Sequence, residues 1–110
     1  MTTIVIQKSK DGAYRGFTCM GHAQFARKGE KDILCAAIST LTISTINALE
    51  TLAGEKVTYV TNEETGFLKC DFSGQLQEKS IFLMDAMAFS LENLSKEYGK
   101  KYLQIKFEEV

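Results

Sequence analysis

The sequence predicts an α+β fold, a two-layer sandwich in which one mostly antiparallel or mixed sheet carries two helices packed on one face. Five short segments alternate apolar and polar residues or are rich in β-branched residues, and two long segments have helical periodicity. These segments follow one another in the order β-β-α-β-β-α-β, which favours hairpins alternating with helices. At 110 residues the chain is expected to form a single domain over residues 1–110.

The first two strands are predicted to form a hairpin over residues 3–8 and 14–21. Residues 9–12 supply the turn between them, because Gly12 tolerates the positive φ that tight hairpins need. The second strand ends immediately before His22.

The first helix is predicted to begin after Asp32 and to end at Gly54. An aspartate before an apolar run is a good N-cap, because its carboxylate can accept the N–H two or three residues on. The expected core-facing stripe consists of Leu34, Ile38, Leu41, Thr45, Leu49 and Leu52. Other apolar residues lie on the opposite side, namely Ala36, Ile43 and Ile46. We therefore expect the second helix or a second subunit to cover that side.

The second half of the chain is predicted to form another hairpin, another helix and a closing strand. The expected bounds are residues 56–61, 66–72, 75–98 and 102–108. The core stripe of the second helix is expected to contain Met84, Met87, Ala88, Leu91, Leu94 and Tyr98. Phe82 and Phe89 lie opposite this stripe, where they are expected to make a dimer contact or a second core edge.

From the sequence we expect no nucleic-acid partner, no metal, no cofactor and no membrane span. A net charge of −1 lacks the basic footprint of a nucleic-acid binder. Three cysteines at these spacings match neither a zinc site nor a disulfide framework, so a reducing compartment and a cytoplasmic location are expected. The N-terminus has no signal-peptide pattern. Residues 33–49 carry no charge, but their Ser, Thr and Asn content favours a core helix over a membrane span.

The stretch from residue 21 to residue 39 holds the residues best suited to chemistry. His22 is the only histidine and follows a predicted strand, and Cys35 lies in the first turn of a predicted helix. A thiol and an imidazole brought together form a cysteine nucleophile with its base. A helix N-terminus stabilises an anion by only about 0.3–1 kcal/mol, so the helix alone does not make Cys35 a thiolate. His22 is expected to activate it.

Two residues near this pair have open roles. Asp32 is expected to cap the helix or, alternatively, to orient the ring of His22. Ser39, one turn after Cys35, can hydrogen-bond within the site or bond back to the Cys35 carbonyl. Residues 22–31 are predicted to form a loop that is mobile without substrate and closes over an extended peptide.

Gly21-His22-Ala23, the loop glycine Gly29, the segment from Asp32 to Ala36, and Ser39 resemble the hallmark of the ribosomal-processing cysteine protease family, called Prp. The resemblance extends over essentially the whole chain in length and in element order. One departure is an extra residue between Gly29 and Asp32.

The resemblance implies a homodimeric cytoplasmic protease that removes a short N-terminal extension from large-subunit ribosomal protein number twenty-seven. The implied cut follows an aromatic residue and precedes a small one. Cys35 would be the nucleophile and His22 the base, with Gly21, Asp32 and Ser39 as supporting positions. The implied partner is that N-terminal peptide, with no direct nucleic-acid or membrane partner.

Two alternatives stand beside the protease. A non-enzymatic ribosome-assembly binding protein would carry Cys35 as a structural thiol and would tolerate its replacement. A thiol redox sensor is less favoured, because no second cysteine lies close to Cys35 in the sequence. Cys19 and Cys70 are expected to be buried structural thiols.

Overall fold

The computed structural model describes residues 1–26 and 32–110. Its elements are β1 (Thr2–Lys8), β2 (Tyr14–Met20), α1 (Ile33–Thr51), β3 (Val57–Asn62), β4 (Phe67–Phe72), α2 (Glu78–Tyr98) and β5 (Leu103–Glu109). This order confirms the predicted one. The prediction of a closing loop rests largely on residues 27–31, including Gly29, which lie outside the described residues.

The five strands form one mixed sheet in the order β3-β4-β2-β1-β5. β1 and β5 are parallel, and the other neighbouring pairs are antiparallel. Ile4 and Phe17 point toward the helices and are fully buried, whereas the alternate residues Val5 and Thr18 remain partly exposed. The helices therefore cover one face of the sheet, as predicted, and the core lies between the two layers.

The neighbour of β2 on its outer side is β4, a strand that follows it only after α1 and β3. Cys19 pairs with Leu68, and Phe17 pairs with Cys70. Since the two strands run antiparallel, the start of β4 lies beside the end of β2. The turn of the β3–β4 hairpin is thereby brought next to His22.

The core-facing stripe of α1 differs in part from the predicted one. Three predicted positions are buried, namely Leu34, Ile38 and Leu49. Leu52, however, is 75% exposed, and Ile46, which was placed on the opposite side, is 1% exposed. The buried stripe runs through Thr42 and Ile46 instead, because a helix with apolar residues all round does not by itself define which side faces the core.

α1 ends at Thr51, and Gly54 follows with a φ of +69°. The backbone N–H of Glu55 then donates to the carbonyl of Leu49 at 2.8 Å, so Gly54 closes the helix as the predicted C-terminal cap.

α2 is shorter than predicted. α2 begins at Glu78 rather than at residue 75, because the carboxylate of Glu55 accepts the backbone N–H of Gln77 at 3.1 Å. This contact holds Gln77 in an extended conformation at the N-cap.

By length and composition alone α1 could cross a membrane. Its Leu34, Ile46 and Leu49 side chains are nevertheless packed within the core between the sheet and α2, as predicted for a core helix. On its other side Ile33 and Ile43 are 60% and 45% exposed, so α2 does not cover that side.

Candidate active site

Cys35 and His22 meet at one end of the sheet. Cys35 lies in the first turn of α1, and His22 follows the end of β2. The Sγ atom of Cys35 lies 3.8 Å from Nδ1 of His22. The two residues that the sequence singled out are therefore brought within hydrogen-bonding distance for a thiol.

A cavity of about 310 Å³ opens beside this pair. α1 forms one wall, and β2 and the β3–β4 hairpin form the other. Besides the pair, its walls include Cys19, Ile38, Ser39, Ile43, Phe67 and Leu68. Apolar walls around a few polar groups are typical of ligand sites. This cavity can therefore take an apolar group beside the thiol of Cys35.

The ring of His22 is oriented by a main-chain group. Its Nε2 lies 2.9 Å from the backbone carbonyl oxygen of Glu64, in the β3–β4 turn. A carbonyl oxygen only accepts hydrogen bonds, so Nε2 carries the hydrogen and donates it. In the neutral ring Nδ1 then has a free lone pair directed to the thiol of Cys35.

Asp32 caps α1 and does not contact the ring of His22. One carboxylate oxygen accepts the N–H of Cys35 at 3.0 Å, and the other accepts the N–H of Phe25 at 2.9 Å. Burial alone would raise the pKa of Asp32, but the backbone N–H groups of Cys35 and Phe25 outweigh it and hold the pKa below its ordinary value. Of the two roles left open, the structure shows the cap. While the cap is intact, the N–H of Cys35 is not free to stabilise an oxyanion.

Asp32 also ties α1 to the segment that follows His22. Phe25, which receives the second contact of Asp32, packs edge-on against Tyr98 at 5.0 Å and against Tyr102 at 5.2 Å between ring centroids. Ala23 is buried in the core. Residues 22–26 are therefore anchored to the end of α2 and the start of β5.

The two other predicted supporting residues both lie at the site. Ser39 lines the cavity one turn after Cys35. Gly21 joins β2 to His22, and a Cβ there would lie 2.6 Å from the carbonyl oxygen of Met1. Only glycine fits this close approach.

Sequence reasoning missed two parts of the site, Cys19 and the β3–β4 turn. Cys19 lines the same cavity as Cys35 although the two are far apart in the sequence. Burial raises the pKa of Cys19 to about 11, and the neighbouring Cys35 adds to the effect. Cys19 is therefore a buried, protonated thiol, as expected, but it lies in the wall of the same cavity as Cys35. Only the pairing of β2 with β4, which no local pattern indicates, brings the turn to His22.

The chain has relatives among known proteins and solved structures. It matches the family described as "Cysteine protease Prp" over residues 1–104. It is 29% identical over 102 residues to the ribosomal processing cysteine protease Prp of Bacillus subtilis (strain 168), covering 89% of this chain and 90% of that protein.

Two solved structures have the same fold as this chain. The protein SMU.848 from Streptococcus mutans is 30% identical, with a TM-score of 0.85 over 100% of this chain and 96% of that one. The essential ribosomal processing protease Prp from S. aureus, in complex with a covalently linked product peptide, shares the fold with a TM-score of 0.88 at 21% identity, over 98% of this chain and 100% of that one. The chain belongs to the Prp family of cysteine proteases.

Proposed function

We propose that this protease removes the N-terminal extension of large-subunit ribosomal protein number twenty-seven, with Cys35 as nucleophile and His22 as general acid and base. The observation that carries the proposal is the 3.8 Å approach of Cys35 Sγ to His22 Nδ1 at the mouth of a largely apolar cavity. The name of the B. subtilis relative adds support for ribosomal processing. The S. aureus protease, which has also been solved with a substrate peptide, supports a peptide partner.

The reaction follows from the geometry of the pair. Nδ1 of His22 accepts the thiol proton, and the Cys35 sulfur bonds to the carbonyl carbon of the scissile peptide. The protonated ring then donates to the departing amine as the C–N bond breaks, which leaves a thioester. Water gives a proton to Nδ1 and attacks the thioester. The new carboxyl end leaves, and the thiol regains its proton.

The supporting residues act through this pair. Asp32 holds the first turn of α1, and thus Cys35, at the start of the helix. Gly21 allows the chain to reach His22 directly from β2. Ser39 places a hydroxyl on the cavity wall, one turn from the nucleophile.

The test is cleavage of a synthetic peptide that spans the extension and the first residues of the mature ribosomal protein, followed by mass spectrometry. Wild-type protein is expected to cut the peptide once, and Cys35→Ala is expected to lose at least about 1,000-fold in rate. Cys70→Ala is the matched control, because that thiol is buried outside the cavity. Equal cleavage by Cys35→Ala would overturn the proposal and favour the binding-protein alternative.

The proposal includes a homodimer in the cytoplasm, with neither nucleic acid nor a membrane as a direct partner. The side of α1 that α2 leaves open carries exposed Ile33, and α2 presents exposed Phe82 and Phe89. Burying such side chains stabilises an association. Light scattering after size exclusion is expected to give twice the 12.3 kDa chain mass. A single-chain mass at micromolar concentration would contradict the dimer.

A further inference from the structure

The β3–β4 hairpin contributes no side chain to the proposed chemistry, yet it contacts His22 directly. We propose that its turn is a third part of the catalytic apparatus. In this proposal the backbone carbonyl of Glu64 positions His22, and Asn62 and Gly66 position that carbonyl. The inference rests on the roles proposed for Cys35 and His22.

The carbonyl of Glu64 is available because the turn does not use it. The backbone N–H of Gly66 donates to the carbonyl of Glu63 at 3.3 Å, which closes a four-residue β-turn. In such a turn the carbonyl of the second residue, Glu64, is free to accept a hydrogen bond from outside. His22 supplies that hydrogen bond through Nε2 at 2.9 Å.

This hydrogen bond selects one tautomer of the ring. A neutral imidazole carries its proton on either nitrogen, and the partner of one nitrogen decides the state of the other. With Nε2 donating to Glu64, Nδ1 is bare and can take the thiol proton of Cys35. The opposite tautomer would present an N–H to the sulfur and could not act as the base.

Asn62 holds the peptide unit that carries this carbonyl. Its Oδ1 accepts the backbone N–H of Glu64 at 3.1 Å and that of Thr65 at 3.4 Å. The N–H of Thr65 and the carbonyl of Glu64 belong to the same planar trans peptide and point in opposite directions. Because Asn62 holds the N–H of Thr65, the carbonyl of Glu64 points away from Asn62 and toward His22.

Gly66 lets the turn approach the ring. A Cβ on this residue would lie 2.6 Å from the carbonyl oxygen of Gly21 and 3.1 Å from Cε1 of His22. Gly66 also has a φ of +66°, which L side chains rarely adopt. Gly54 has nearly the same φ, +69°, but a Cβ there would meet nothing within 4 Å. An alanine at either position therefore strains the backbone to a similar degree, but only an alanine at Gly66 displaces the ring of His22. The two substitutions form a matched pair.

The experiment measures kcat and KM of four variants on a peptide that the wild type cleaves. Asn62→Ala is expected to lower kcat about 10- to 100-fold and to change KM by less than about threefold, because a misplaced catalytic group slows the chemical step. Asn62→Asp is expected to restore kcat to within about threefold of the wild type, since its carboxylate can accept the same two N–H groups. Gly66→Ala is expected to lose at least as much as Asn62→Ala, while Gly54→Ala keeps the wild-type kcat.

A wild-type kcat in Asn62→Ala, or an equal loss in Gly54→Ala and Gly66→Ala, would overturn the inference. A substrate-free measurement separates its failure from failure of the proposed substrate. If the wild type cleaves no ribosomal peptide, the rate at which iodoacetamide alkylates Cys35 decides instead. That rate is expected to fall in Asn62→Ala and to stay unchanged in Gly54→Ala, whereas equal rates in the two variants would contradict a role for the hairpin.

Discussion

The two hairpins of the sheet use the same local chemistry, but only one of them contacts His22. In the β1–β2 turn Ser9 Oγ accepts the N–H of Ala13, and Gly12 has a positive φ. In the β3–β4 turn Asn62 and Gly66 take the equivalent parts.

Their surroundings differ. A Cβ on Gly12 would meet nothing within 4 Å, whereas one on Gly66 would press on Gly21 and His22. The β1–β2 turn lies at the end of the sheet opposite His22, and the pairing of β4 with β2 places the other turn beside it. The local sequence thus decides which hydrogen bonds form within a turn, while the strand order decides which turn lies beside His22.

The largest difference is expected from lengthening each turn. Two glycines inserted between Glu63 and Glu64 should lower the cleavage rate by at least about 100-fold, because the carbonyl that positions His22 moves away. The same insertion between Asp11 and Gly12 should leave the rate within about threefold, since longer surface loops cost little folding free energy. Peptide cleavage, with circular dichroism as the folding control, measures both. Similar losses in the two proteins would remove the distinction between the hairpins.

A smaller effect is expected on the helix side of the site, at Asp32. Asn in place of Asp32 can still accept the N–H of Cys35, but its amide nitrogen cannot accept the N–H of Phe25. At pH 7, Asp32→Asn should lower the free energy of unfolding by about 1–2 kcal/mol, because a hydrogen bond to a charged acceptor is lost.

The free energy of unfolding that Asp32→Asn loses is expected to shrink as the pH falls. Contacts with backbone N–H groups outweigh burial and lower the pKa of Asp32 in the folded state. The charged carboxylate therefore stabilises the fold fully above the pKa of the unfolded state. This stabilisation is lost as the pH falls through the pKa of the folded state. Urea unfolding from pH 7 down to acid pH should therefore show the wild type and Asp32→Asn converging. A gap that stays constant with pH would show that the charge of Asp32 contributes nothing.

The smallest effect is expected at the remote turn. Ser9→Ala removes the acceptor for the N–H of Ala13 and the hydroxyl that donates to the exposed carboxylate of Asp11. The free energy of unfolding should fall by about 0.5–1 kcal/mol, as for a typical hydrogen bond, with kcat unchanged. Thermal unfolding and peptide cleavage measure the two quantities. A kcat that falls as far as in Asn62→Ala would mean that general loosening of the sheet, not the β3–β4 turn, affects catalysis.

Features set by neighbours in the sequence were predictable. Asp32 precedes an apolar run and caps it, and the same pattern put Cys35 in the first turn of α1. The patterns of apolar and polar residues predicted all five strands to within one residue at every end, because a strand's period is a local property. The placement of His22 at the end of β2 followed from the same pattern.

Features set by distant parts of the chain were not predictable. The partner of His22 is the carbonyl of Glu64, 42 residues away, and a backbone carbonyl has no signature in a sequence. The predicted buried side of α1 is partly wrong, because apolar residues surround this helix and its own pattern does not define the side that faces the core. Packing against the rest of the chain buries Ile46 and leaves Leu52 exposed. The start of α2 depended on Glu55, which lies beyond the preceding hairpin.

The central claim is that the β3–β4 turn fixes the tautomer of His22 so that Nδ1 can accept the proton of Cys35. His22 is the only histidine, so the NMR shifts of its two ring nitrogens can be assigned without ambiguity. In the neutral ring we expect the proton on Nε2 in the wild type and a mixture of tautomers in Asn62→Ala. A neutral wild-type ring that carries its proton on Nδ1 would contradict the claim.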